Sequence, residues 1–266
     1  VRTTGGWAGG AVLAAVVLLA TACTSSGGAD GPAQPTTSTT PDATTALRER
    51  CLSAIPDDAE LEAFTLTGAT GGDLEAARIG PSANEHVAVL LPQTSGLCGW
   101  GRWATAAAGE GLTSILVNPC GYGESTCTPE EDADPLNEVA AAVVEARDGL
   151  GAERVALFGT SMGGSLTVMA AAAGADVDVW ADVSGPAAWE GTELAPLAAS
   201  LPADGLVVMA PSDGQAEYDA AEALADAAGV PFVPGRSGHG WELLVDPVDG
   251  SVTRIGRLLT GLATGR

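Results

Sequence analysis

The chain has 266 residues, enough for one sizeable domain with tails, and 46% of them are hydrophobic, which permits a packed core. Its 34 acidic residues face only 11 basic ones, giving a net charge of −23, and lysine is absent. So acidic a chain argues against binding nucleic acid or other polyanions, and 4% aromatic residues argue against a long aromatic-lined groove for polymers.

The chain opens VRTTGGWAGGAVLAAVVLLATAC. One Arg precedes an apolar run, Ala11 to Ala20, that is too short to span a bilayer and suits the middle of a signal peptide. Thr21, Ala22 and Cys23 follow and resemble a bacterial lipobox, with Ala20 where leucine is more usual. The sequence therefore predicts a lipoprotein signal peptide over residues 1–22. Cys23 becomes the acylated first residue of the mature chain, anchored to the outer face of the bacterial cell membrane. An ordinary secretory signal cut nearby is the alternative. Thr24 to Thr45 is almost wholly Gly, Pro, Ser, Thr, Ala and Asp, which predicts a flexible linker over 23–49 ahead of a folded domain over 50–266.

Past Cys23 lie four cysteines, Cys51, Cys98, Cys120 and Cys127. An even number in an exported chain predicts two disulfides in one of three connectivities. Cys120 and Cys127 bracket a short Gly-rich segment, which favours Cys120–Cys127 with Cys51–Cys98. A zinc site is the rival, weakened because no pair has CxxC spacing and neither His lies near a Cys pair.

Within the domain, ELEAFTLT and LEAARIG flank the turn signal GATGG and predict an antiparallel pair. HVAVLLP is a continuous apolar run, as expected of a strand buried on both faces. Helix-like and strand-like segments then alternate. WATAAAGEG leads to TSILVNP, PLNEVAAAVVEARDGLG to RVALFG, and GGSLTVMAAAAG to VDVWADVSG. A short connector leads to GLVVMAP, then AEYDAAEALADAAG leads to PFVPG, and a last helix runs from about Val252 to Leu262. Repeated β–α units predict an α/β fold, a mostly parallel sheet with helices on both faces. In such sheets reactive groups gather at the carboxyl ends of strands.

Ser161 stands at such an end, within G-x-S-x-G after RVALF and before a helix. Gly159 and Gly163 let the turn tighten until the hydroxyl is presented, and the helix aims its N-terminal amides at the same point. A serine nucleophile needs a base. Of the two histidines, His86 begins a strand and so lies at the far end of the sheet, whereas His239, in SGHGW, follows the last short strand on the side of Ser161. The base needs an acid to orient it. Asp213, in MAPSDG, ends a strand between the two, and Asp182, near the end of VWADVSG, is the rival.

On these residues the chain from about Leu61 onward resembles the α/β-hydrolases, whose triads run in the order Ser161, Asp213, His239. NPCGYGES resembles the family's G-x-G-x-S turn at Gly121, Gly123 and Ser125, with Asn118 and Cys120 replacing the usual acidic and basic residues; the resemblance implies a structural turn. In the loop LLPQTSG, Pro92 and Gln93 stand where many members have His-Gly, which is closer to the dienelactone-hydrolase branch. By position in that pattern, the oxyanion amides are those of Thr94 and Met162. The connector PAAWEGTELAPLAASLPAD is too short for a large lid, so the resemblance implies a minimally capped pocket with Trp189 as a wall. The expectation is an extracytoplasmic, membrane-anchored serine hydrolase of carboxylesterase type, acting on an acyl substrate with an ester-like bond. The alternatives are a catalytically silent binding lipoprotein and an acyltransferase of the cell envelope. No motif points to a metal or an organic cofactor.

Overall fold

The computed structural model describes residues 42–266 other than residue 135. The signal segment, Cys23 and most of the linker lie outside the described residues. Among those described, no helix is long and apolar enough to cross a membrane.

The domain begins earlier than expected. The last residues of the anticipated linker form α1 (Ala43–Cys51), where Asp42 caps the helix by accepting the Thr45 N–H at 2.9 Å. Leu47 and Cys51 bury one side of it, and the Arg48 guanidinium donates to the Ala59 carbonyl. The anticipated hairpin is β1 (Leu61–Thr67) against β2 (Asp73–Ile79). Then follow β3 (His86–Leu91), α2 (Gly101–Ala108), β4 (Thr113–Val117), α3 (Pro129–Asp132), α4 (Asn137–Val144), β5 (Arg154–Thr160) and α5 (Met162–Ala172). The remainder is β6 (Val179–Val183), a small hairpin of β7 (Ala188–Trp189) and β8 (Thr192–Glu193), β9 (Gly205–Met209), α6 (Gln215–Ala228), β10 (Phe232–Pro234) and α7 (Arg254–Thr264). One continuous helix was anticipated through Gly151, but α4 passes into a π-helical turn over Glu145–Gly149. The last helix starts two residues late because Thr253 caps it, accepting the Gly256 N–H, while Val252 bridges to Val245.

Eight strands form one sheet in the order β1-β2-β4-β3-β5-β6-β9-β10. The ladders from β4 across to β10 are parallel, and β2 joins β4 antiparallel. Strands β4, β6 and β9 are buried along their whole length, which is why they read as unbroken apolar runs. Alternate residues of β3 serve opposite cores. Ala88 and Leu90 pack with Trp100, Trp103 and Leu259 of the α2 and α7 side, and Val87 and Val89 pack with Val139 and Ala170 of the α4 and α5 side. Disulfides join Cys51 to Cys98 and Cys120 to Cys127. They leave none of the four sulfurs as the thiolate that a zinc site would use. Only the small hairpin and a 3-10 helix, Ala195–Ser200, lie between β6 and β9, so among the described residues no lid subdomain is inserted at the carboxyl edge of the sheet.

Candidate active site

The parallel strands bring Ser161, Asp213 and His239 to one edge of the sheet. Ser161 joins β5 to α5 with φ +53, a left-handed conformation that costs a side-chain-bearing residue energy and marks a tight elbow. Its amide donates to the Val183 carbonyl of β6 at 2.9 Å, and its carbonyl accepts the Gly164 N–H at 2.7 Å. The flanking glycines are steric requirements. A Cβ on Gly159 would lie 1.8 Å from the Gly163 carbonyl oxygen, and one on Gly163 would lie 2.2 Å from that of Leu91.

Asp213 ends a 3-10 turn after β9, and His239 follows β10. Asp213 Oδ1 and His239 Nδ1 are 2.7 Å apart. The Asp213 carboxylate is buried at 7% side-chain exposure, while the imidazole is 45% exposed. Ser212 holds the two loops together, since its hydroxyl donates to the Gly238 carbonyl at 2.9 Å and accepts the Gly238 N–H at 3.0 Å. Ser161, Asp213 and His239 line one cleft of about 110 Å³ with Ser184, Met209 and Glu217.

The rival acid lies elsewhere. Asp182 is 1% exposed beneath the elbow, where its Oδ1 accepts the Gly185 N–H at 2.8 Å. Burial pushes its carboxyl up to about 7, against that single hydrogen bond. His86 opens β3 at the opposite end of the sheet, where its amide donates to Asn84 Oδ1.

Met162, the first residue of α5, directly follows Ser161, and the next amide, of Gly163, is taken by the Pro92 carbonyl at 2.9 Å. Thr94 lies in an exposed turn two residues past Pro92. Gln93 between them reaches sideways, and its Oε1 accepts the Trp241 N–H at 3.2 Å. The turn after β4 is structural in its bonding. Ser125 Oγ donates to the Asn118 carbonyl at 2.8 Å and accepts the Glu75 N–H at 2.9 Å, while Asn118 Oδ1 accepts the Leu97 N–H just beyond the Thr94 turn. Trp189 lines a neighbouring cavity of about 200 Å³ with Tyr122, Glu138, Met162 and Leu166. Glu138 there accepts the Cys120 N–H at 2.8 Å, and burial raises its pKa.

Sequence reasoning missed Ser184, Ser212 and the reach of Gln93. The only available signal was that the first two sit at strand ends, beside Asp182 and Asp213 respectively.

No family model matches the chain, and no curated protein matches it. Solved structures do. An esterase from Pyrococcus furiosus superimposes with a TM-score of 0.64 at 10% identity, over 78% of this chain and 90% of that one. An enol-lactonase from Burkholderia xenovorans gives 0.58 at 17% identity, over 76% and 100%. A lidless α/β serine hydrolase from Xanthomonas campestris gives 0.52 at 20% identity, over 68% and 84%. With the strand order and connections above, these likenesses give the chain the α/β-hydrolase fold.

Proposed function

We propose that the protein is an extracytoplasmic serine hydrolase, tethered to the membrane through an acylated Cys23, that cleaves a carboxylic ester, thioester or amide bond. The observation that carries this reading is the Asp213–His239 pair at 2.7 Å in the cleft that also holds Ser161 on its strained elbow. Two of the similar structures are an esterase and an enol-lactonase, which supports an ester-like substrate.

With Nδ1 engaged by Asp213, His239 Nε2 is the nitrogen left to take the Ser161 proton as the hydroxyl oxygen attacks the carbonyl carbon. The carbonyl electrons move to oxygen, and the amides of Met162 and Thr94 receive that charge. Collapse expels the leaving group, which takes the proton back from His239. Water, activated by the same imidazole, then releases the acyl group and restores Ser161.

Ser161→Ala is expected to abolish both hydrolysis of p-nitrophenyl acetate and labelling by a fluorophosphonate probe while leaving the thermal unfolding transition in place. Hydrolysis at the wild-type rate in that variant removes Ser161 from the chemistry.

A further inference from the structure

The cavity of about 200 Å³ that Trp189 lines has no role in the chemistry above. It lies at the carboxyl edge of the sheet, between the turn after β4, the end of α3 and the β7–β8 hairpin. Met162, the residue after Ser161, forms part of its wall, and Leu166, one helical turn further along α5, continues it. Trp189 and Tyr122 add aromatic rings. Asp132, Asp134, Glu138 and Glu190 bring four carboxylates to the same lining, and no arginine lines it. None of the four makes an ion pair among the described residues.

Three of these carboxylates belong to exposed residues, where water solvates them. Glu138 differs, because it is only 9% exposed. Its Oε1 accepts the Cys120 N–H at 2.8 Å. Its Oε2 has no hydrogen-bond partner among the described residues, yet it is not one of the atoms sealed inside the protein, so it opens on the cavity. Burial opposes the charge on this carboxylate, and Asp132 and Asp134 add like-charge repulsion. A buried carboxylate with neither a cation nor a second donor is costly, and a ligand can supply both.

The chemistry of the lining selects that ligand. A carboxylate oxygen only accepts, so Oε2 calls for a group that carries a hydrogen. The surrounding negative charge calls for a cation, and aromatic faces attract one. An ammonium group meets all three demands, whereas a quaternary ammonium has no hydrogen to give Oε2. A divalent metal ion fits less well. Among the described residues no three of these carboxylates come close enough together to share one, and the only such cluster pairs Glu138 with Cys120 and Cys127, whose sulfurs are bonded to each other. A cavity of 150 Å³ holds benzene, so this one holds a chain of about eight non-hydrogen atoms.

We infer that this cavity is a subsite for an ammonium group carried on the substrate, with Glu138 Oε2 as its acceptor and Trp189 as its wall. The inference rests on the reading of Ser161 as nucleophile and names the substrate class of that site.

Two measurements test it at about 0.15 M salt, where exposed charges beyond about 8 Å are largely screened. The first is calorimetric titration of Ser161→Ala with n-hexylammonium and with neutral hexan-1-ol, and it does not depend on the nucleophile. The ammonium is expected to bind about tenfold more tightly, as one charge-assisted hydrogen bond allows. Adding Glu138→Gln, which keeps an acceptor for the Cys120 N–H, is expected to remove most of that difference. Adding Glu110→Gln, which removes one charge ahead of β4 at the opposite edge of the sheet, is expected to leave it. Equal affinity for the two probes, or equal losses in the two variants, overturns the inference. The second measurement is kcat/KM for 4-methylumbelliferyl 6-aminohexanoate against the heptanoate, and for 6-aminohexyl acetate against heptyl acetate. The wild type is expected to favour the ammonium member about tenfold in one of the two series, and the responding series says whether the acyl or the alcohol part enters the cavity. Glu138→Gln is expected to bring that ratio close to one with the thermal melt unchanged, which a merely structural glutamate would not do. Should Glu138→Gln fail to fold, Trp189→Leu in the short hairpin serves in both measurements, with an expected loss of about threefold. Ammonium binding with a ratio of one in both series overturns the substrate assignment. Ammonium binding with neither ester hydrolysis nor fluorophosphonate labelling overturns the reading of Ser161 and leaves the cation site standing.

Discussion

Asp182→Asn offers a quantitative check on the ground beneath the elbow. In the folded chain the Asp182 carboxyl titrates near 7 because burial disfavours its charge, whereas its ordinary value is 3.8. Below pH 3.8 both states hold the proton and the group contributes nothing to pH dependence. Between 3.8 and 7 the unfolded chain has lost a proton that the folded chain keeps, so stability falls by about 1.4 kcal/mol per pH unit. Above 7 both states are ionised and the loss levels off at about 4 kcal/mol. Asparagine keeps the acceptor for the Gly185 N–H and does not titrate. The stability difference between variant and wild type is therefore expected to grow in favour of Asp182→Asn by about 2 to 3 kcal/mol from pH 5 to pH 8. Urea denaturation at unit pH steps, with both disulfides intact, measures it. A difference that does not change with pH refutes the burial argument. Asp182→Asn also separates the two carboxylates, since hydrolysis should survive it if Asp213 is the acid that orients His239.

Two further predictions follow from steric fit and from the leader. Gly163→Ala places a Cβ 2.2 Å from the Leu91 carbonyl oxygen and 2.7 Å from that of Pro92, both backbone atoms with little room to yield. It is expected to cost about 3 kcal/mol in urea denaturation and to lower kcat; a midpoint equal to wild type would mean that the elbow does not press on β3 as described. Cys23→Ala in the full chain is expected to abolish incorporation of labelled palmitate and to move the protein from the membrane fraction to the soluble one. Unchanged labelling would place the acylated residue elsewhere.

The parallel sheet was legible because its central strands are buried on both faces and so carry unbroken apolar runs. Helix α1 was not, because it buries only Leu47 and Cys51, too few positions to establish a helical period in a segment that continues a Thr-rich linker. The same contrast holds at the site. That Ser161, Asp213 and His239 meet in one cleft was legible because chain order and strand ends place them. Ser212 acts through Gly238, 26 residues away, and Gln93 through Trp241, 148 residues away, so neither leaves a local pattern. The left-handed φ of Ser184 was likewise hidden, since sequence assigns such values to glycine, which stands one position later as Gly185.

The departure from His-Gly in the loop after β3 has a physical consequence in this chain. Pro92 has no amide hydrogen to satisfy, and its carbonyl receives the Gly163 N–H, which ties the loop to the Ser161 elbow. Gln93 then ties the same loop to the histidine. Its Oε1 accepts the Trp241 N–H and lies so close to Gly240 that a Cβ there would come within 2.1 Å of it. A Cβ there would displace the Gln93 amide, and the φ of +56 at Gly240 itself favours glycine next to His239. Two neighbouring residues thus connect the elbow, the Thr94 turn and the histidine loop through one backbone and one side-chain hydrogen bond. Pro92 and Gln93 therefore help to set the spacing of Ser161, His239 and the Thr94 turn, along with the sheet beneath them.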